Sequence, residues 1–172
     1  MLFTERQCFR QPWLWAILLA SVVGTSGITA YGMVQQLVYK RPFGDNPTSD
    51  SALAWTGAFV IGLNALLLWL LYRMELEVRV EPDALSVRFP PFIRRKIPYA
   101  EIRSAEARTY NPLREYGGWG IRFGRAGKAY NVTGNQGVQL ELASGERLLL
   151  GSQRSDELAA AIQSRLPARN TA

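Results

Sequence analysis

The side chains in this sequence that could do chemistry crowd into one stretch. Arg114, Glu115, Tyr116, Trp119 and Arg122 follow one another closely, interrupted by Gly117, Gly118 and Gly120. Glycines permit positive φ and close backbone approach, and two guanidinium groups and a carboxylate beside two aromatic rings could grip a ligand or peptide. The same residues also suit a wide connection between strands, with Trp119 packed inward and Arg114 and Glu115 forming a local ion pair. Both readings stand at the level of sequence.

A second stretch, Phe89-Pro90-Pro91-Phe92-Ile93-Arg94-Arg95-Lys96, sets apolar side chains beside three consecutive bases. Phe92, Arg94, Arg95 and Lys96 are the candidates there for contact with an anionic membrane surface, where each base contributes roughly 1 kcal/mol. The alternative is ordinary solvation of a strand end.

Composition closes other routes. The chain has no histidine and one cysteine, Cys8. The usual zinc sites, Ser-His-Asp or Cys-His nucleophile pairs and an internal disulfide therefore cannot be assembled. Phosphate-binding loops and nucleophile elbows are missing, because Gly117-Gly118-Trp119-Gly120 has neither the spacing nor the helix those motifs need. Glu101, Glu106, Glu115 and the tyrosines could act as acid or base, yet nothing singles one out among so many basic neighbours. The expectation is a non-catalytic protein with no cofactor and no metal. Asp45, Asn46 and Asp50 suggest an exposed turn more than a calcium loop. A net charge of +6 raises the question of nucleic acid. Acids are interspersed throughout and no helix carries a basic stripe, so no nucleic-acid partner is expected.

These stretches must be positioned by larger elements. Gln11 to Tyr39 is a run of 29 residues without a charge, and Ser51 to Tyr72 is another of 22. Each meets the roughly 20 helical residues needed to cross lipid, and the first far exceeds the apolar core of a signal peptide. The spans are placed at 13–38 and 52–72, with a short loop at 39–51 and a cytoplasmic N-terminal segment at 1–12. Trp13, Trp15, Trp69 and Tyr72 would mark one interface, and Tyr39 and Trp55 the other. Small residues recur at Ala16, Ala20 and Gly24 and at Ala54, Ala58 and Gly62, and these faces are expected to meet. Asn64 should hydrogen-bond across the pair. Arg6, Arg10, Arg73 and Arg79 outweigh the balanced loop, which places both termini in the cytoplasm.

From Arg73 onward the chain carries 16 Lys and Arg against 11 Asp and Glu. Leu76, Val78 and Val80 alternate with polar residues, as do Leu85, Val87 and Phe89 after the Pro82-Asp83 turn, up to Pro90-Pro91. One strand is expected over Ile97–Tyr110. Two more, Trp119–Phe123 and Lys128–Val132, flank Gly124-Arg125-Ala126-Gly127. A hairpin over Val138–Leu142 and Arg147–Leu150 turns at Ser144-Gly145. A helix follows, capped by Ser155, with Leu158, Ala161, Ile162 and Leu166 on one face and Pro167 as its stop. The β domain is thus 73–166 and the tail 167–172.

About seven antiparallel strands closed by one helix match the plan of a pleckstrin-homology-like (PH-like) barrel. The runs Tyr110–Arg122, Gly134–Leu142 and Leu150–Arg154 resemble, in that order, uncharacterised bacterial membrane proteins with a bacterial PH-like domain. The resemblance implies the fold, attachment to the bacterial inner membrane and no known activity. Eukaryotic PH modules often bind phosphoinositides from a basic first hairpin, whereas that hairpin here reads Glu81-Pro82-Asp83. The expected function is a membrane-anchored binding or scaffolding module with the lipid bilayer and a membrane protein as partners. The alternatives are an accessory subunit of a larger membrane complex such as a transporter, and self-association into a homo-oligomer.

Overall fold

A computed structural model gives the fold and describes residues 2–124 and 126–167. The chain divides into two compact units, Arg10–Arg73 and, from its two ends together, Met1–Phe9 with Met74–Ala172.

The first unit is a helical hairpin. Helix α1 spans Pro12–Met33 and continues through a π-helical turn, Val34–Val38, and α2 spans Asp50–Arg73. Proline at the first helical position starts α1, because the N–H it lacks would have no intrahelical partner there. Both helices are long and apolar enough to cross a membrane. Gly32 and Gly57 are the buried residues of α1 and α2, whereas Trp55 is 79% exposed. Among the described residues, only 6% of the most apolar stretch of each helix is buried.

They meet along a different face from the one the small residues suggested. Ala16, Ala20, Gly24, Ala58 and Gly62 are exposed, and the Cβ directions of Gly24 and Gly62 point into open space. Close approach comes at Gly57, where a Cβ would lie 2.3 Å from Met33 Sδ, and at Gly32 beneath the Phe43 ring. The bulky thioether and ring fill what those two glycines leave empty. The expected polar tie is present: Asn64 Nδ2 donates to Thr25 Oγ1 and Ser26 Oγ, each at 3.0 Å. At the loop end the buried Gln36 amide donates to Thr48 O at 2.7 Å and to Asp50 Oδ1 at 3.0 Å, which pins the connection.

The second unit contains nine strands among the described residues, two more than expected. Strand β1 (Phe3–Cys8) lies in the segment read as a cytoplasmic lead-in, and it pairs antiparallel with β2 (Glu75–Val80) from Phe3↔Val80 to Cys8↔Glu75. The single strand expected over 97–110 is two. Strand β4 (Ile93–Pro98) and strand β5 (Ile102–Thr109) are split by the helical turn Tyr99–Glu101. With β3 (Ala84–Phe89), the first four strands form one sheet in sequence order.

Strands β6 (Gly120–Gly124), β7 (Gly127–Asn131), β8 (Gln136–Leu142) and β9 (Arg147–Gly151) join β5 in a second sheet of order β5-β8-β9-β7-β6. The β7–β9 pair is parallel, a departure from the all-antiparallel expectation. Among the described residues there are two sheets and no closed barrel. Arg125, between β6 and β7 in sequence, and residues 168–172 of the tail lie outside the described residues.

Leu76, Val78, Leu85, Val87, Phe89 and Ile97 from the first sheet are fully buried, as are Leu140, Leu148 and Leu150 from the second and Leu158 and Ile162 of α4 (Ser155–Gln163). Ser155 does not cap α4. Arg154 holds the cap position, its N–H donating to Ser152 Oγ at 3.0 Å, and the helix ends before Pro167 is reached. Strand β9 shows no alternation because it is central: Leu149 is buried on the opposite face with Tyr110, Tyr116 and Ala129.

Candidate functional site

The loop rich in charge, glycine and aromatics is built as a short helix and its exit. Helix α3 spans Pro112–Tyr116, with Asn111 Oδ1 accepting from the Arg114 N–H at 3.0 Å and Gly117 at φ 72° ending it. Asparagine before, proline at the first position and glycine after form the signature of a one-turn helix, so this element was legible in principle.

Glu115 reaches back to the Asn111 N–H at 2.7 Å and accepts from Arg108 Nη2 of β5 at 2.7 Å. Its partner is thus Arg108 and not Arg114. Burial pushes the Glu115 carboxyl up, but these two donors outweigh it and hold the group below the ordinary carboxylate range. Tyr116 is buried; its hydroxyl accepts from Arg108 at 3.1 Å, and its ring meets Tyr110 edge-on at 5.8 Å. Behind them the fully buried Asn131 donates to Tyr110 Oη at 2.9 Å and accepts from the Gly120 N–H at 2.9 Å. Burial raises the Tyr110 phenol above its usual value against the pull of that bond.

Trp119 is half-buried, and its indole N–H donates to Gly134 O at 2.8 Å. Arg122 Nε donates to Trp119 O at 2.8 Å, which folds the guanidinium over Gly118. The structure therefore brings Glu115, Tyr116, Trp119 and Arg122 together, but their polar atoms are directed at this domain itself. Arg114 is exposed and its side chain has no hydrogen-bond partner among the described residues. Arg108 of β5, Tyr110 just after it, Asn131 of β7 and Gln139 of β8, whose Oε1 accepts from the Tyr116 hydroxyl at 3.4 Å, complete the network; they were not singled out from sequence, because separate strands bring them together. Glu115→Ala is expected to lower stability by about 1–2 kcal/mol, and Arg114→Ala to change it by less than about 0.5 kcal/mol, in thermal or denaturant unfolding.

The second candidate stretch is divided by the pleat of β4. Arg95 turns toward the β8–β9 turn and forms a two-point pair with Glu146 at 2.8 and 3.1 Å, and Lys128 reaches the same carboxylate at 3.1 Å. The hydrogen bond from Arg95, only partly opposed by burial, holds Glu146 down at about 2. Because the folded value is depressed, this stabilisation is complete above the ordinary range near 4.5 and is lost as pH falls toward 2. Glu146→Gln should therefore be less stable than the parent at neutral pH, and the difference should shrink between pH 5 and pH 2 in acid unfolding followed by circular dichroism.

Arg94 and Lys96 lie on the side of β4 away from Arg95, and Phe92 is in the turn before the strand. Phe92 is 57% exposed, Arg94 is exposed, and Lys96 pairs with Glu81 at 3.2 Å. Next to them in the sheet, Glu77 is buried yet shared by Arg6 at 2.6 Å, Arg79 at 2.5 Å and Arg88 at 3.6 Å. Burial pushes the Glu77 carboxyl up, but the hydrogen bonds from Arg79 and Arg6 win and keep it ionised below the usual range. The chain matches no protein-family model and no curated protein.

Proposed function

We propose that this protein is a non-catalytic β module of PH-like type, anchored in the bacterial inner membrane by its helical hairpin and acting in the cytoplasm as a binding or scaffolding unit. The observation that carries this reading is the pairing of β1 with β2. The chain leaves the β unit at Cys8 and re-enters it at Glu75, and these two residues are register partners. A hairpin that crosses lipid twice returns the chain to the face it left, so the paired strands and the two spans require the same topology. The basic residues flanking the spans favour the cytoplasm as that face. Tethering raises the module's effective concentration toward other membrane-bound partners, so that weak contacts suffice.

Single cysteines at Ser49 and Ser144 in a Cys8→Ser background test this with a membrane-impermeant thiol reagent. Ser49→Cys should react in intact cells, and Ser144→Cys only after permeabilisation. Reaction of Ser144→Cys in intact cells would overturn the topology.

A second reading, a subunit of a larger membrane complex, draws on the exposed small residues of α1 and α2, where a Cβ added at Gly24 or Gly62 would meet nothing within 4 Å. Close helix packing in lipid uses such residues. A stable hetero-complex in mild detergent, read by native mass measurement, favours the subunit; a monomer or homodimer favours the independent anchor.

A further inference from the structure

We propose that the outer face of the four-stranded sheet, together with the Pro90-Pro91-Phe92 turn, is a docking surface for anionic lipid headgroups of the bilayer that anchors the chain. This inference rests on the membrane reading above and assigns a partner to one face of the β unit.

Strand register defines that face. The inward residues of β2 are Leu76, Val78 and Val80, so Glu75, Glu77 and Arg79 point outward, and pairing carries the outward side to Arg6 on β1, Arg88 on β3, and Arg94 and Lys96 on β4. Five bases, Arg6, Arg79, Arg88, Arg94 and Lys96, stand against three acids, Glu75 and Glu77 on the same face and Glu81 just beyond β2, which pairs with Lys96. One carboxylate, Glu77, serves three guanidinium groups, and Arg94 has no ion-pair partner among the described residues. The positive excess is thus concentrated on Arg88 and Arg94, which are directly paired across β3 and β4. Like charges placed opposite one another destabilise a sheet unless something outside compensates them. A surface of phosphate-bearing headgroups supplies that compensation.

The same register locates the apolar part. Cys8↔Glu75, Glu77↔Arg88 and Phe89↔Ile93 put the end of β1, the start of β2 and the β3–β4 turn at one end of the sheet. Phe9 stacks on Phe89 at 6.3 Å there, and Phe92 projects beyond it, 57% exposed. In sequence only Met74 separates α2 from β2, and three residues separate β1 from α1. Short segments therefore join this end of the sheet to both spans, and its exposed ring, the unpaired Arg94 and the weakly paired Arg88 suit a lipid interface. Arg95 takes no part, since Glu146 holds it on the other side of β4, and Lys96 is answered by Glu81.

The test uses the full chain in nanodiscs, with a bimane label on Phe92→Cys in a Cys8→Ser background and nitroxide-bearing lipids as quenchers. Strong quenching is expected in phosphatidylglycerol–phosphatidylcholine discs, with weak quenching in phosphatidylcholine alone. High salt should weaken it, because screening shortens the reach of the charges. Arg94→Gln should lower the docked-to-undocked ratio about five-fold, and Arg88→Gln with Arg94→Gln by about the square of that factor. A label on Ser144→Cys, in a turn of the other sheet, should stay unquenched. Quenching at Phe92→Cys that is absent, or indifferent to lipid charge and to both substitutions, overturns the docking surface in protein that remains embedded. Loss of the protein from alkali-washed membranes overturns the membrane reading itself.

Discussion

Deleting residues 2–8 is expected to unfold the β unit at temperatures where the intact chain is folded. The deletion removes a whole sheet partner and exposes the β2 edge from Glu75 to Val80. It also removes the buried Phe3 ring, worth about 2 kcal/mol, and the bonds by which β1 ties to the end of β9 and the residues after it. Glu5 accepts from Ser152 Oγ at 2.5 Å and from the Gln153 N–H at 2.9 Å, while Gln7 Nε2 donates to Gly151 O at 3.0 Å. Hydrogen bonds to a charged group are worth about 1.5–3 kcal/mol, so the total loss approaches the 5–15 kcal/mol that stabilises an ordinary domain. Glu5→Ala alone should cost about 2 kcal/mol. Denaturant unfolding followed by Trp119 fluorescence in an otherwise tryptophan-free chain measures both. An unchanged midpoint after deletion would mean that β1 contributes nothing to the fold.

The second large effect is expected at Gly127. Its φ of 109° is outside the range side chains readily adopt, and a Cβ there would lie 2.3 Å from Arg147 O of the neighbouring strand. The backbone of β7 must approach β9 this closely because the two pair in parallel, Lys128 with Leu148. Gly127→Ala should therefore destabilise by about 3 kcal/mol, the sum of backbone strain and a contact that only movement of the sheet can relieve. By contrast, Gly145 at φ 83° has open space around it. Gly145→Ala should lose only about 1 kcal/mol, from conformation alone. Equal effects at the two positions would show that the close β7–β9 approach is not a constraint.

Alternation made β2, β3 and β8 readable, because apolar residues line one face of each and polar residues the other. It failed where that condition failed. Arg147-Leu148-Leu149-Leu150 was placed as a strand, but nothing in an unbroken apolar run tells that it lies centrally between β8 and the parallel β7. β1 reads Phe3-Thr4-Glu5-Arg6-Gln7-Cys8, with Glu5 and Gln7 on its inner side, because their partners are backbone and side-chain groups at the β9–α4 junction. A strand with polar inward residues has no apolar period to detect. The break between β4 and β5 was hidden for a related reason: Ile97 and Ile102 are both buried, and only the turn at Tyr99–Glu101 carries the chain from one sheet to the other.

The candidate site was legible as a location and not as a set of bonds. Gly117, Gly118, Trp119 and Gly120 mark an unusual connection, and Gly117 and Gly120 do adopt positive φ. One of the two readings paired Glu115 with Arg114, but adjacent helical side chains point in different directions. Arg108 reaches it across the turn from β5. On β4 the order Arg94-Arg95-Lys96 reads as one basic cluster, yet the two-residue pleat sends Arg95 to Glu146 and leaves the other two on the opposite face.

Strands β1 and β2 stitch together the two ends of a helical hairpin long and apolar enough to cross a membrane. Thr4 and Arg79 are antiparallel partners on the outer face, at a Cα separation that a disulfide can bridge. Thr4→Cys with Arg79→Cys, in a Cys8→Ser background, should crosslink within one chain on mild oxidation of native membranes. The product should stay in the pellet after alkaline washing. Absence of the crosslink, or its appearance in the wash, contradicts the account.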